Sequence, residues 1–97
     1  MTNRESQIEK YLVDQVKAID GLCWKFVSPG VSGVPDRIIL IEGHTYFVEV
    51  KTEDGRLDKL QHHRCRQIRD RGISVNIVRN KDQVDALIDR ILNENKV

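Results

Sequence analysis

Ile8, Leu12, Val16 and Ile19 recur at helical spacing with Tyr11 beside the stripe, predicting a first helix from about Asn3 to Asp20. Thr2 and Glu5 have the spacing of a capping box, and Gly21 is the expected stop. Cys23 to Val27 reads as a short strand. Ser28 to Gly33, punctuated by proline and glycine, reads as a loop. Ile38-Ile39-Leu40-Ile41 is a continuous apolar run, the pattern of a strand covered on both faces. After a turn over Glu42 to Thr45, a third strand from Tyr46 to Lys51 alternates Phe47, Glu49 and Lys51 with Tyr46, Val48 and Val50. A polar loop, Thr52 to Arg56, leads into a second helix from about Asp58 to Arg71, stopped by Gly72. Leu57, Gln61, Cys65 and Ile68 share one face of it, with Leu60 beside them. Ile73 to Arg79 is a fourth strand, and Val84, Leu87, Ile88, Ile91 and Leu92 mark a closing amphipathic helix.

The predicted order is therefore α-β-β-β-α-β-α. A strand reached through a helical crossover joins parallel to an earlier one, so the expected fold class is α/β, a mixed four-stranded sheet flanked by helices. The 97 residues are expected to form one domain, residues 1–97, burying only about 60–65% of their unfolded surface.

Composition narrows the partners rather than the fold. Charged residues make up 32% of the chain, yet the net charge is only +1, so attraction to a polyanion has to be local. The segment from Lys51 to Arg71 supplies such a surplus, with seven Lys/Arg against four Asp/Glu. Cys23 and Cys65 lack metal or redox spacing and read as reduced, buried thiols. The polar start, Met1 to Glu5, has no apolar signal region, and no apolar run reaches the ~18–20 residues of a membrane span. The expected location is the cytoplasm.

Candidate chemistry concentrates on the hairpin. A two-residue turn at Gly43-His44 pairs Asp36 with Lys51; a turn at Glu42-Gly43 pairs Asp36 with Glu49. In either register Asp36, Glu49 and Lys51 share a face, because opposed residues of an antiparallel pair point the same way. A three-residue turn breaks the arrangement. Two carboxylates suit Mg²⁺, a hard cation that prefers oxygen and retains waters, and the carbonyl of Val50, between Glu49 and Lys51, could be a further ligand. A lysine two residues beyond can position or deprotonate an attacking water or pair with a phosphate. The competing reading is a solvated edge-strand Glu-x-Lys and a Pro-Asp at a loop-to-strand junction.

Gly33-Val34-Pro35-Asp36, thirteen residues before Glu49-Val50-Lys51, resembles the signature of the PD-(D/E)XK nucleases. The detail is most similar to their VRR-NUC branch: Glu5-Ser6 on an early helix, the Gly30 to Asp36 loop, the Glu49-Val50-Lys51 strand, and a helix opening Leu57-Asp58-Lys59-Leu60-Gln61. The likeness runs from about Glu5 to Arg79. It implies a restriction-endonuclease-like core, with Asp36 and Glu49 as metal ligands and Lys51 as the catalytic lysine. It also implies that Glu5 completes the acidic site, directly or through water, and that Gln61 orients Lys51 or the water. Glu5 and Gln61 extend the inward stripes of their helices, although each also has the spacing of a capping residue. No accessory DNA-binding domain of the kind larger members carry is expected within these 97 residues.

The resemblance further implies a Mg²⁺- or Mn²⁺-dependent, structure-specific DNA endonuclease acting on branched substrates such as four-way (Holliday) junctions or flaps. Stand-alone domains of this kind are often phage-encoded, which would place the protein in the host cytoplasm. Size and the two-fold symmetry of a junction lead us to expect a homodimer. The alternative is a non-catalytic nucleic-acid-binding module of the same fold. Of the basic residues, Lys25, Arg56 and Lys59 are the expected nucleic-acid contacts, whereas Arg64, Arg66, Arg69 and Arg71 are expected around several sides of their helix. Adjacent His62 and His63 point about 100° apart and cannot chelate together; His44 is expected in an exposed turn. Trp24, Tyr46 and Phe47 are expected in the core or an interface.

Overall fold

In the computed structural model, residues 4–95 are described. The elements are α1 (Arg4–Ala18), β1 (Leu22–Lys25), β2 (Arg37–Ile41), β3 (His44–Val50), α2 (Lys59–Asp70), β4 (Ser74–Val78) and α3 (Lys81–Glu94). The expected α-β-β-β-α-β-α order is realised. Thr2 and Asn3, offered for the cap and start of α1, lie outside the described residues.

The four strands form one sheet in the order β1-β2-β3-β4. β1, β2 and β3 run antiparallel in sequence, and β4 joins β3 in parallel. The α2 crossover dictates that mixture, since a strand reached through a helix returns in its original direction.

One sheet face carries the core. Ile8, Leu12 and Val16 of α1 and Val84, Leu87, Ile88 and Ile91 of α3 pack on Ile39, Tyr46, Val48, Val50 and Val78. Each aliphatic side chain fully buried there contributes about 1.5–3 kcal/mol. The opposite face presents Glu49 and receives α2, which packs mainly over β4 and whose Gln61 amide reaches Glu49. β1 and β2 are left largely open on that face. The sequence expectation for β2 is corrected accordingly: only Ile39 is fully buried, while Ile38 and Leu40 are half-buried. Leu60 and Leu92, expected inward, are exposed, and Trp24 is 56% exposed instead of sitting in the core. Tyr46 is buried as expected, and Phe47 is half-buried with its ring edge-on to Phe26 at 5.1 Å.

Two turns fix the geometry that follows. The hairpin turns on Glu42 and Gly43, with φ of 35° and 82°, positive at both centres as a two-residue turn between twisted strands requires. At the end of α1 the left-handed residue is Asp20, φ 65°, rather than Gly21. Gly21 answers a shortage of space: a Cβ there would lie 2.9 Å from Val16 Cγ1.

Candidate active site

Turn parity places the acids. Ile41 pairs with His44 and Arg37 with Val48, so continuing the ladder sets Asp36 opposite Glu49, the second of the two registers considered from the sequence. Glu49 and Lys51 therefore project to the α2 side of the sheet, away from the core made by Val48 and Val50. The Val50 N–H donates to Asp36 Oδ2 at 3.3 Å, tying the loop-borne carboxylate to the backbone between Glu49 and Lys51. The Lys51 N–H donates to the Val78 carbonyl at 3.0 Å, which anchors the strand end from its other side.

Glu49 is the centre of the group. It is 3% exposed, and its Oε2 lies 3.5 Å from Lys51 Nζ and accepts from Gln61 Nε2 at 3.1 Å. Burial, then the neighbouring Asp36 charge, pushes its carboxyl up to about 7, with Lys51 and hydrogen bonding pulling the other way. A buried acid beside another acid is expected to resist ionisation in this way.

Gln61 caps α2 and reaches Glu49 rather than Lys51. Its N–H donates to Asp58 Oδ1 at 2.8 Å and its Oε1 accepts from the Asp58 N–H at 3.0 Å, a reciprocal capping box. That leaves its amide Nε2 to reach Glu49, so the cap aims the side chain at the acid.

The remaining candidates are placed less centrally. Glu5 sits half-buried in the first turn of α1. Among the described residues no three His, Cys, Asp or Glu side chains gather around a common metal position, so Glu5 does not join Asp36 and Glu49 in a three-acid cluster. Arg56 and Lys59 are exposed on either side of the α2 cap. Lys25 pairs with Arg37, which sets it on the sheet face opposite Asp36; Trp24 and Phe26 are its neighbours on the acid side. The thiols of Cys23 and Cys65 are both free, with Cys65 buried and Cys23 half-buried.

Several supports were not singled out from the sequence. Arg79 Nη1 donates to the Thr52 carbonyl at 3.1 Å and to that of Gly55, and Asn80 Nδ2 donates to Glu53 Oε1 at 2.7 Å. Together they hold the loop that follows Lys51. Arg64 Nε donates to the Ser32 carbonyl at 2.8 Å, which holds the loop that precedes Asp36. Arg64 was legible only as one of several basic residues spread around α2, and Arg79 only as the expected last residue of the fourth strand.

An oxygen pair with a positioned amine, on a rigid strand end, can bind a divalent cation and orient a water against a phosphate. The residues fit such a cation: Asp36 and Glu49 supply hard oxygen donors, and Mg²⁺ takes waters for its remaining positions.

No family model matches the sequence. Over 49 residues the chain is 53% identical to "Putative nuclease p44" of Acyrthosiphon pisum secondary endosymbiont phage 1, a stretch covering 50% of this chain and 53% of that protein. The match thus spans about half the length of that relative. A solved structure described as a VRR_NUC domain superposes with a TM-score of 0.85 at 36% identity, covering 91% of this chain and 97% of the other. With so much of that domain reproduced in both sequence and fold, the chain belongs to the VRR-NUC family of nuclease domains.

Proposed function

We propose that residues 1–97 act as one nuclease domain, a Mg²⁺- or Mn²⁺-dependent endonuclease that hydrolyses phosphodiester bonds in branched DNA. The observation that carries this reading is the grouping of Asp36, Glu49, Lys51 and Gln61 at one strand end, within a VRR-NUC fold. Asp36, Glu49 and the Val50 carbonyl would hold the cation, with Glu5 contributing through water. When bound, the cation would supply Lewis acidity towards the phosphate and lower the pKa of a water. Lys51 then orients or deprotonates the attacking water, or neutralises the phosphate, and Gln61 holds Glu49 in place. Arg56 and Lys59, exposed on either side of the α2 cap that carries Gln61, contact the DNA backbone, whereas Lys25, on the sheet face opposite Asp36, does not share that contact.

Four-way junctions and flaps are the proposed substrates, and a homodimer with one site per subunit is the proposed assembly. Support for the dimer comes from Leu22 and Trp24, exposed on the same face of the edge strand β1; exposed apolar side chains on a sheet edge favour association. No described helix is long and apolar enough to cross a membrane, and the proposed setting is the cytoplasm of a host cell. The defining experiment incubates labelled junction, flap and linear duplex with the protein in Mg²⁺, in Mn²⁺ and in chelator. Metal-dependent cutting that favours the branched forms is expected. Tight binding with no cutting in either metal would replace this reading with the non-catalytic binding module.

A further inference from the structure

The loop before Asp36 and the side of α2 that faces it flank a surface cavity of about 300 Å³ lined by Val31, Val34, Arg64, Gln67, Ile68 and Arg71. Its floor is apolar, and its charged groups are two arginines with no carboxylate. Both guanidiniums are held. Arg64 donates from Nε to the Ser32 carbonyl at 2.8 Å and from Nη1 to Gln67 Oε1 at 2.9 Å. Arg71 donates from Nη1 to the Gln67 carbonyl at 3.0 Å. The loop's close approach to the helix is built in, since Gly33 stands at φ 85° and a Cβ there would meet Leu60 Cγ at 2.9 Å.

We propose that this cavity receives one unstacked nucleobase of the DNA strand that crosses the active site, a reading that rests on the nuclease function above. A fixed guanidinium is a planar, cationic surface suited to stacking on a base while attracting the adjoining phosphates. Gln67, with its Oε1 turned to Arg64, has amide donors for an acceptor on the base edge. The volume lies at the small end of ligand sites, which favours a single ring system over a longer segment. Position agrees. Arg64 and Arg71 stand three and ten residues beyond Gln61, about 4.5 and 15 Å along the helix axis. That is roughly one to four steps of a stacked strand at about 3.4 Å each. A base inside a duplex cannot enter such a cavity without leaving its stack, so the site selects DNA that already carries unpaired nucleotides, as flaps do, over fully paired junctions.

The test measures binding by fluorescence anisotropy in chelator, so that no cutting is required. Three probes are compared: a duplex with a short single-stranded tail, the same duplex with a tail of abasic residues, and a fully paired duplex. Wild type should bind the normal tail about tenfold more tightly than the abasic tail, in the range one stacked base contributes. Val31→Asp and Arg71→Ala, both at exposed positions, should erase that difference while thermal unfolding stays unchanged. Equal binding of normal and abasic tails by wild type would overturn the proposal. So would equal weakening of all three probes in both variants, which is generic phosphate attraction, or no binding to any probe. Cutting is then assayed separately on adding Mg²⁺. Base-dependent binding without cutting removes the nuclease reading and leaves the cavity's role standing.

Discussion

Glu49 concentrates the physical tension of the molecule at one residue. Its carboxyl is pushed up to about 7 by burial and by Asp36, against an ordinary value near 4.5. The folded protein therefore binds a proton that the unfolded chain releases between about pH 4.5 and pH 7. Stability must fall as pH rises through that window and level off above it. Glu49→Gln keeps an acceptor for Gln61 and removes the titration. Urea unfolding at pH 5 and pH 8 should show the variant gaining about 1–3 kcal/mol over wild type at the higher pH. A wild-type stability that does not decline across the window would contradict this. Because a cation favours the ionised carboxylate, Mg²⁺ binding at pH 7 should release protons, seen as a buffer-dependent heat in calorimetry, and Glu49→Gln should abolish the release. The sequence made Asp36, Glu49 and Lys51 legible because strand parity fixes faces. It could not give burial at the site, which depends on α2 arriving over β4 and leaving β1 uncovered.

At the scale of elements, short backbone features decide whether the side chains meet. The Glu42-Gly43 turn sets the register that opposes Asp36 to Glu49, and its first position is a glutamate at φ 35°, a residue that rarely occupies that region. Glu42→Asn creates the pair such turns prefer and should raise stability by about 0.5–1 kcal/mol without altering activity. Gly33→Ala should do the reverse. Its φ of 85° and the 2.9 Å approach to Leu60 imply a loss of about 1–3 kcal/mol in chemical unfolding, with the loop that carries Asp36 displaced from α2. Helix and strand types were readable from period alone, since Ile8, Leu12 and Val16, and Val84, Leu87 and Ile91, recur as they bury. Less readable was which apolar residues face nothing. Leu60 and Leu92 fit their helical stripes by count yet lie at the margins of the surfaces those helices cover.

For the whole molecule, one sheet face is sealed by α1 and α3 and the other is only partly covered by α2. The second arrangement serves function: it leaves Lys51 partly accessible beside the buried Glu49, and Trp24 and Leu22 in solvent. If that face is where two copies meet, light scattering at micromolar concentration should give a dimer, and Trp24→Glu should shift it to monomer; a monomeric wild type would count against the assembly. The α/β order and the mixed sheet followed from the sequence because β4 had to return through α2. The open face did not follow, because the apolar run of β2 reads the same whether one side or both are covered. The central claim is that the Asp36–Glu49–Lys51 group performs hydrolysis. Its most direct measurement is the single-turnover cutting rate of Lys51→Ala against wild type, on the branched DNA cut fastest, in Mg²⁺, at matched folding and binding. A loss of about 10²- to 10⁴-fold is predicted, the range of a positioned acid–base group. Equal rates would contradict the account.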